Sequence, residues 1–369
     1  MKVHLSRPDI TKEEIEAVEE VLLSQILSLG EKTPAFEQEF CRYLGTKHAV
    51  AVNSGTAGLH LLVRALNISP GDEVITTPFS FVASSNCLIY EGARPVFVDI
   101  DPLTMNIDPN QIEAKITPRT KALLPVHVFG LPADMPAITS LAKFYDLKVI
   151  EDACESLGSE IDEKKAGTFG DGAVFAFYPN KQITTGEGGM IVTNDSEISE
   201  LCSSMRNQGR GGNSAWLSHE RLGFNYRMTE LSAALGLVQM KRIKEILKKR
   251  SLVAAMYHER LKEIPQLIVP AELKNTTVSW FVYVVRFLPE IDRDRIMMYL
   301  LNHGIGCRPY FPAIHLQPFY QKMYGYQKGD FPITESIANS TLALPFYNNL
   351  QETEIDYVVE ILQDALRKS

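Results

Sequence analysis

From about residue 48 to about residue 195, short β-branched and apolar runs alternate with stretches of helical periodicity, and this alternation constrains the fold more than any other feature. The runs are His48 to Val52, Glu73 to Thr77, Pro95 to Val98, Ala122 to Val128, Lys148 to Ile150, Ala173 to Phe177 and Met190 to Thr193. Strands separated by helices predict an α/β architecture, a mostly parallel sheet covered on both faces. In such sheets ligands bind in the crevice at the carboxyl ends of the strands. The segments following those ends here are rich in Gly, Ser, Thr, Asp and Asn, so chemistry is sought there.

Around this region the pattern differs. Thr11 and Glu14 form a capping-box pattern, with Ile15, Val18 and Leu22 at helical spacing, so an amphipathic helix opens the chain. A long helix is predicted from Thr229 to about Arg260, with Leu231, Ala234, Leu235 and Val238 on one face and the charged run KRIKEILKKR behind them. It reads as a bridge to a smaller α+β domain. That domain would contain a strand-like run at Val278 to Phe287, a helix at Asp292 to His303, a short run at Ile305 to Tyr310 and a terminal helix at Thr353 to Leu366. The boundary is placed at 1–248 and 249–369, and the length of 369 residues with 45% hydrophobic content is ample for two cores.

Composition excludes several partners. The net charge of −8 arises from interspersed acids and bases, without the basic stripe a nucleic acid requires. Five scattered cysteines, Cys41, Cys87, Cys154, Cys202 and Cys307, match neither a disulfide framework nor a metal site and fit a reducing cytoplasm. No run of about 18 apolar residues suggests a membrane span, and the N-terminus lacks a signal-peptide core, so a soluble, unprocessed protein is expected.

Five segments carry the chemistry. In FAFYPNKQITTGEGGM a strand ends, Lys181 follows, and Gly186, Gly188 and Gly189 allow a tight turn beside it. Lys181 is a candidate nucleophile, with a solvated surface lysine as the plain alternative; the lysine precedes its glycines, which excludes a P-loop. In LKVIEDACESLG a strand delivers Glu151 and Asp152 at its carboxyl end, and one of the two should face the crevice. A protonated pyridine nitrogen would satisfy Asp152 there, while helix N-capping is the simpler reading. In HAVAVNSGTAGLHLL a helix begins just after Asn53-Ser54-Gly55-Thr56, offering backbone N–H groups and the hydroxyls of Ser54 and Thr56 to an anion, or merely capping the helix. TTPFSFVASSNCL sets Phe79 and Phe81 past another strand end, where either could stack on a flat ring or pack in the core. RLGFNYRMTELSAALG places Asn225 and Arg227 before the bridging helix and says little alone.

Taken together, NSGTAGL, TPFSFVAS, GARPVFVDID, PVHVFG, IEDACESLG, KQITTGEGGM and GFNYRM, in this order and spacing, resemble the DegT/StrS family of sugar aminotransferases. The resemblance spans nearly the whole chain and implies the aspartate-aminotransferase fold with pyridoxal 5′-phosphate (PLP) as cofactor. It implies that Lys181 holds PLP as a Schiff base and acts as the proton-moving base, and that Asp152 pairs with the pyridine nitrogen. By the same resemblance Phe81 stacks on the ring, Gly55 and Thr56 bind the phosphate, and Asn225 reaches the phosphate of a neighbouring subunit, which implies a homodimer with shared sites. It also implies an amino-acid donor, glutamate, and a nucleotide-linked keto-sugar acceptor in amino-sugar or polysaccharide biosynthesis.

Two positions depart from the family pattern. Ala176 stands where many members carry a phosphate-contacting serine, with Tyr178 and Asn180 as candidate substitutes. Glu155 stands where many carry a glutamine facing the cofactor's phenolic oxygen; an ionised carboxylate cannot donate there, so either it is protonated or it contacts another group. Arg206, Arg210, Trp216, His219, Arg308, Tyr310 and His315 could meet a sugar or diphosphate, each equally suited to a structural role. A related sugar dehydratase would carry histidine at the lysine position, a non-catalytic scaffold would be expected to lose Lys181 or Asp152, and a nicotinamide dehydrogenase would need a Gly-x-Gly-x-x-Gly after the first strand. None of these conditions is met.

Overall fold

The β-branched runs pair as strands because each is short, apolar and flanked by turn residues. A computed structural model describes residues 1–211 and 218–368. Its strands are β1 (His48–Val52), β2 (Glu73–Thr76), β3 (Arg94–Phe97), β4 (Thr120–Leu124), β5 (Lys148–Asp152), β6 (Glu160–Ile161), β7 (Lys164–Lys165), β8 (Gly172–Ala176), β9 (Gly189–Thr193), β10 (Leu267–Ile268), β11 (Thr276–Thr277), β12 (Tyr283–Phe287) and β13 (Thr341–Leu344).

Seven of them form the central sheet in the order β1-β9-β8-β5-β4-β2-β3. The pairs β2–β3, β2–β4, β4–β5 and β5–β8 are parallel, whereas β9 runs antiparallel to both β8 and β1. The sheet is therefore mostly parallel and mixed, as expected. Alternation along a strand divides its side chains between two cores. Val174 of β8 packs with Val52, Leu59, Leu62 and Ile150 on one face, while Ala173 and Phe175 pack with Phe36, Phe40 and Met190 on the other. All residues of β2 and β9 are buried, so both strands are covered on both faces of the sheet.

The expected bridging helix is two helices, Glu230–Lys241 and Ile243–Leu261, broken at Arg242. The Arg242 guanidinium donates to Glu14 Oε1 at 2.6 Å, tying the break to the N-terminal helix Lys12–Ser24. Beyond it, β10, β12 and β13 form an antiparallel sheet. Tyr257, Tyr283, Val285, Leu300, Ile355 and Leu362 build a core there, which Val3 joins from the other end of the chain. The run from Val278 to Phe287 forms a strand only over Tyr283–Phe287, and Ile305 to Tyr310 forms none, making single bridges from Ile305 to Val3 and from Arg308 to Ala343.

Candidate active site

Successive residues at the end of β5 point to opposite faces, and this separates the two adjacent carboxylates. Glu151 is fully buried and accepts N–H bonds from Gly167, Phe169 and Gly170 at 2.7–2.8 Å, together with His127 Nε2 at 3.1 Å. His127 Nδ1 accepts from the Ala133 N–H, so the ring proton sits on Nε2, facing Glu151. Glu151 thus ties down the turn at 167–170, where Gly167 has a φ of 88° that only glycine adopts readily. Asp152 instead lines the crevice. Its Oδ2 accepts from Ser84 Oγ at 2.7 Å and its Oδ1 from the Cys154 N–H at 3.2 Å. With its proton committed to the carboxylate, Ser84 Oγ accepts from Ser80 Oγ at 2.8 Å.

Lys181 follows β8 in a turn closed by its own N–H to the Tyr178 carbonyl. Its Nζ lies 3.4 Å from Glu155 Oε1 and 3.9 Å from the centroid of the Phe281 ring. Glu155 is buried, and its other oxygen accepts the Phe129 N–H at 2.9 Å. Burial pushes the Glu155 pKa up, and the Lys181 ammonium pulls it back only in part. The departure at Glu155 therefore has a physical partner: the carboxyl contacts the lysine amine and a backbone donor.

The third wall is the start of helix Gly55–Ala65. Ser54 Oγ accepts the Ala57 N–H, and the Ser54 carbonyl takes the Gly58 N–H. The N–H groups of Gly55 and Thr56 precede the first intrahelical bond, and both residues line the opening. A side chain on Gly55 would put its Cβ 2.8 Å from Ala176 Cβ and 3.0 Å from Cys154 Sγ, so position 176 packs directly against this turn. Asn180 Oδ1 is buried with no hydrogen-bond partner. The three walls enclose a cavity of about 660 Å³, closed on one side by Phe281, Tyr310 and Phe311. Phe81 lines it and is 62% exposed, whereas Phe79 is fully buried, edge-on to Phe129 and Phe311.

The structure thus brings Lys181, Asp152, Glu155, Phe81, Gly55 and Thr56 to one cavity. Asn225 does not line it; its carbonyl accepts from Asn53 Nδ2 at 3.4 Å, and it bridges to Asn207. Of the residues considered for the acceptor, Tyr310 lines the cavity. Arg206 is engaged by Glu37 and the Ala51 carbonyl, and His315 is fully buried against Glu335, so both hold the fold. Arg308 is exposed and donates to the Cys307 carbonyl, while His219 bonds the Gln208 carbonyl and bridges to Arg210. Trp216 lies outside the described residues. Ser84 and Phe281 were not legible in the sequence, because each acts through a contact across 68 or 100 residues of chain, as 152 − 84 and 281 − 181 give. Among the described residues no three His, Cys, Asp or Glu side chains are grouped to hold a metal, and no helix is long and apolar enough to cross a membrane.

Known proteins resemble this chain over most of its length. The model of the DegT/DnrJ/EryC1/StrS aminotransferase family matches residues 8–363. A GDP-perosamine synthase of Caulobacter vibrioides is 41% identical, over 92% of each chain. Among solved structures, Helicobacter pylori PseC, an aminotransferase of pseudoaminic acid biosynthesis, superposes with a TM-score of 0.95 at 31% identity over the full length of both chains. DesV of S. venezuelae, solved in complex with a ketimine intermediate, gives 0.92 at 34% identity over 98% of each.

Proposed function

The chain belongs to the DegT/DnrJ/EryC1/StrS aminotransferase family, and from that premise we propose that it transfers the amino group of L-glutamate to a nucleotide-linked keto-sugar. The protein is a PLP-dependent sugar aminotransferase; donor and acceptor are our assignment. The observation that carries the assignment of roles is the convergence of Lys181, Asp152, Phe81 and the Gly55-Thr56 turn on one cavity of about 660 Å³.

These residues fit PLP. Bound there, PLP supplies a conjugated ring that withdraws electron density from the carbon bearing the transferred nitrogen. The N–H groups of Gly55 and Thr56 suit a phosphate at a helix start, and the unpartnered Oδ1 of Asn180 is free to accept from a hydroxyl or a water nearby. We assign Asp152, which accepts from Ser84 Oγ and the Cys154 N–H, to hold a proton on the ring nitrogen. Phe81 offers an exposed face for stacking. Lys181 Nζ is the amine that binds the cofactor and, once released, moves the substrate proton. Glu155, whose Oε1 lies 3.4 Å from Lys181 Nζ, holds that amine in place at the cavity wall.

We further propose a homodimer in which Asn225 serves the neighbouring subunit's site, supported by its absence from its own cavity and by the exposed apolar side chains Leu22, Leu23, Leu29 and Leu222. The division at 1–248 and 249–369 is consistent with the separate C-terminal core. The test is a coupled assay with a panel of nucleotide keto-sugars and amino donors. Turnover with glutamate and at least one nucleotide-linked keto-sugar is expected; turnover only with free sugars or with another donor class would overturn the assignment.

A further inference from the structure

Arg250 is a buried guanidinium with no carboxylate in contact. It sits on helix Ile243–Leu261 and is 3% exposed. Its Nε donates to the Trp280 carbonyl at 2.6 Å, Nη1 to Asn348 Oδ1 at 2.8 Å, and Nη2 to the carbonyls of Phe281 at 2.7 Å and Asn180 at 3.4 Å. The nearest acid, Asp9, is reached only through the Asn348 amide, whose Nδ2 donates to Asp9 Oδ2 at 3.1 Å. Asp9 is itself shared with Lys249 and Arg242.

A buried charge met by dipoles and by the face of the Phe346 ring, 5.1 Å away, but by no carboxylate, is a costly way to hold a fold together, since apolar side chains of similar volume usually serve as well. What the guanidinium adds is direction. Its planar fork meets several carbonyls at fixed angles, which an ammonium on a flexible stem cannot reproduce. Those carbonyls are not scattered: Asn180 immediately precedes Lys181, and Trp280 and Phe281 carry the ring that lies 3.9 Å from Lys181 Nζ. One side chain from outside the cavity therefore clamps the backbone on both sides of the reactive amine.

We propose that Arg250 is a positioning residue that sets the placement and proton affinity of Lys181 by holding Phe281 beneath its Nζ. This rests on Lys181 being the reactive amine. A ring face under Nζ attracts a cation placed there. The other titratable groups lining the cavity, Asp152, Cys154, Glu155, Tyr178, Glu187 and Tyr310, are left unchanged by the variants that test it.

The test is competitive labelling of Lys181 with acetic anhydride across pH 6–11 in the full-length chain freed of cofactor, read by peptide mass spectrometry; the pH range spans the ordinary lysine pKa of about 10.4. Arg250→Lys and Phe281→Leu are each expected to shift the Lys181 profile down by about half a unit or more, roughly a threefold gain in labelling at pH 8. The double variant should shift it no further than either alone, since both act on one contact. Arg293→Lys, a change to another arginine that bonds backbone carbonyls, is the control for general destabilisation and should leave the profile in place. Asn348→Ala, which removes one acceptor and keeps the arginine, gives a smaller shift in the same direction and serves if Arg250→Lys does not fold. A wild-type profile in Arg250→Lys, or an equal shift in Arg293→Lys, would make Arg250 merely structural. Labelling reads the amine whether or not wild-type protein captures PLP, so a failure of the Lys181 assignment is seen separately, as absent cofactor capture.

Discussion

Glu155 shows how one residue type changes a site. A glutamine in its place could donate to a phenolic oxygen, whereas the carboxylate accepts from Phe129 N–H and faces Lys181. Burial raises its pKa in the folded chain above the value it has when unfolded. The stability contributed by its neutral form is present below the unfolded value and is lost as pH rises through the folded one. Glu155→Gln removes that titration, so the melting temperature of the cofactor-free variant should gain on wild type as pH is raised from 4 to 8, the range spanning the ordinary carboxylate pKa of about 4.3. Parallel curves in a pH series of thermal melts would mean that the group does not titrate there. At this scale the sequence was informative where chemistry is local. Lys181, Asp152, Gly55 and Thr56 stand at strand ends or a helix start, and those positions are readable from pattern. Which of Phe79 and Phe81 enters the core is decided by packing against Phe129 and Phe311, partners distant in sequence.

Elements were legible wherever a single periodicity held, and the central sheet follows the predicted runs closely. Residues 229–260 depart from the single helix predicted for them. Local propensity favours one continuous helix, but Arg242 leaves the helical path and carries its guanidinium to Glu14, which is buried and also receives Gln239 Nε2 and the Thr11 N–H. A tertiary ion pair overrode propensity. Removing the arginine leaves a buried carboxylate without its cation, so Arg242→Met should destabilise the protein by about 3–5 kcal/mol. Chemical denaturation measures this. A loss below about 1 kcal/mol, the range of exposed pairs, would show that water reaches Glu14.

For the whole molecule, the sequence pattern supplied an α/β sheet with ligands at its carboxyl edge, but not the small sheet's partners or the route by which Val3 joins the C-terminal core. Shared sites in a dimer make a distinct prediction. Lys181→Ala and Asn225→Ala subunits, each nearly inactive, should regain activity when unfolded together and refolded, because one site of the mixed dimer draws an intact lysine and an intact asparagine from different chains. Mixtures no more active than the separate variants would place Asn225 within its own subunit's chemistry or outside it altogether.

Every role proposed for the cavity turns on Lys181 carrying the cofactor. The direct measurement is to incubate wild type and Lys181→Ala with PLP, reduce with borohydride, and locate the added mass by peptide sequencing, with glutamate added to a parallel unreduced sample. The adduct is expected on Lys181 in wild type and absent from the variant, with a glutamate-driven loss of the visible absorbance band only in wild type. An adduct on another lysine, or a full glutamate response in Lys181→Ala, would contradict it.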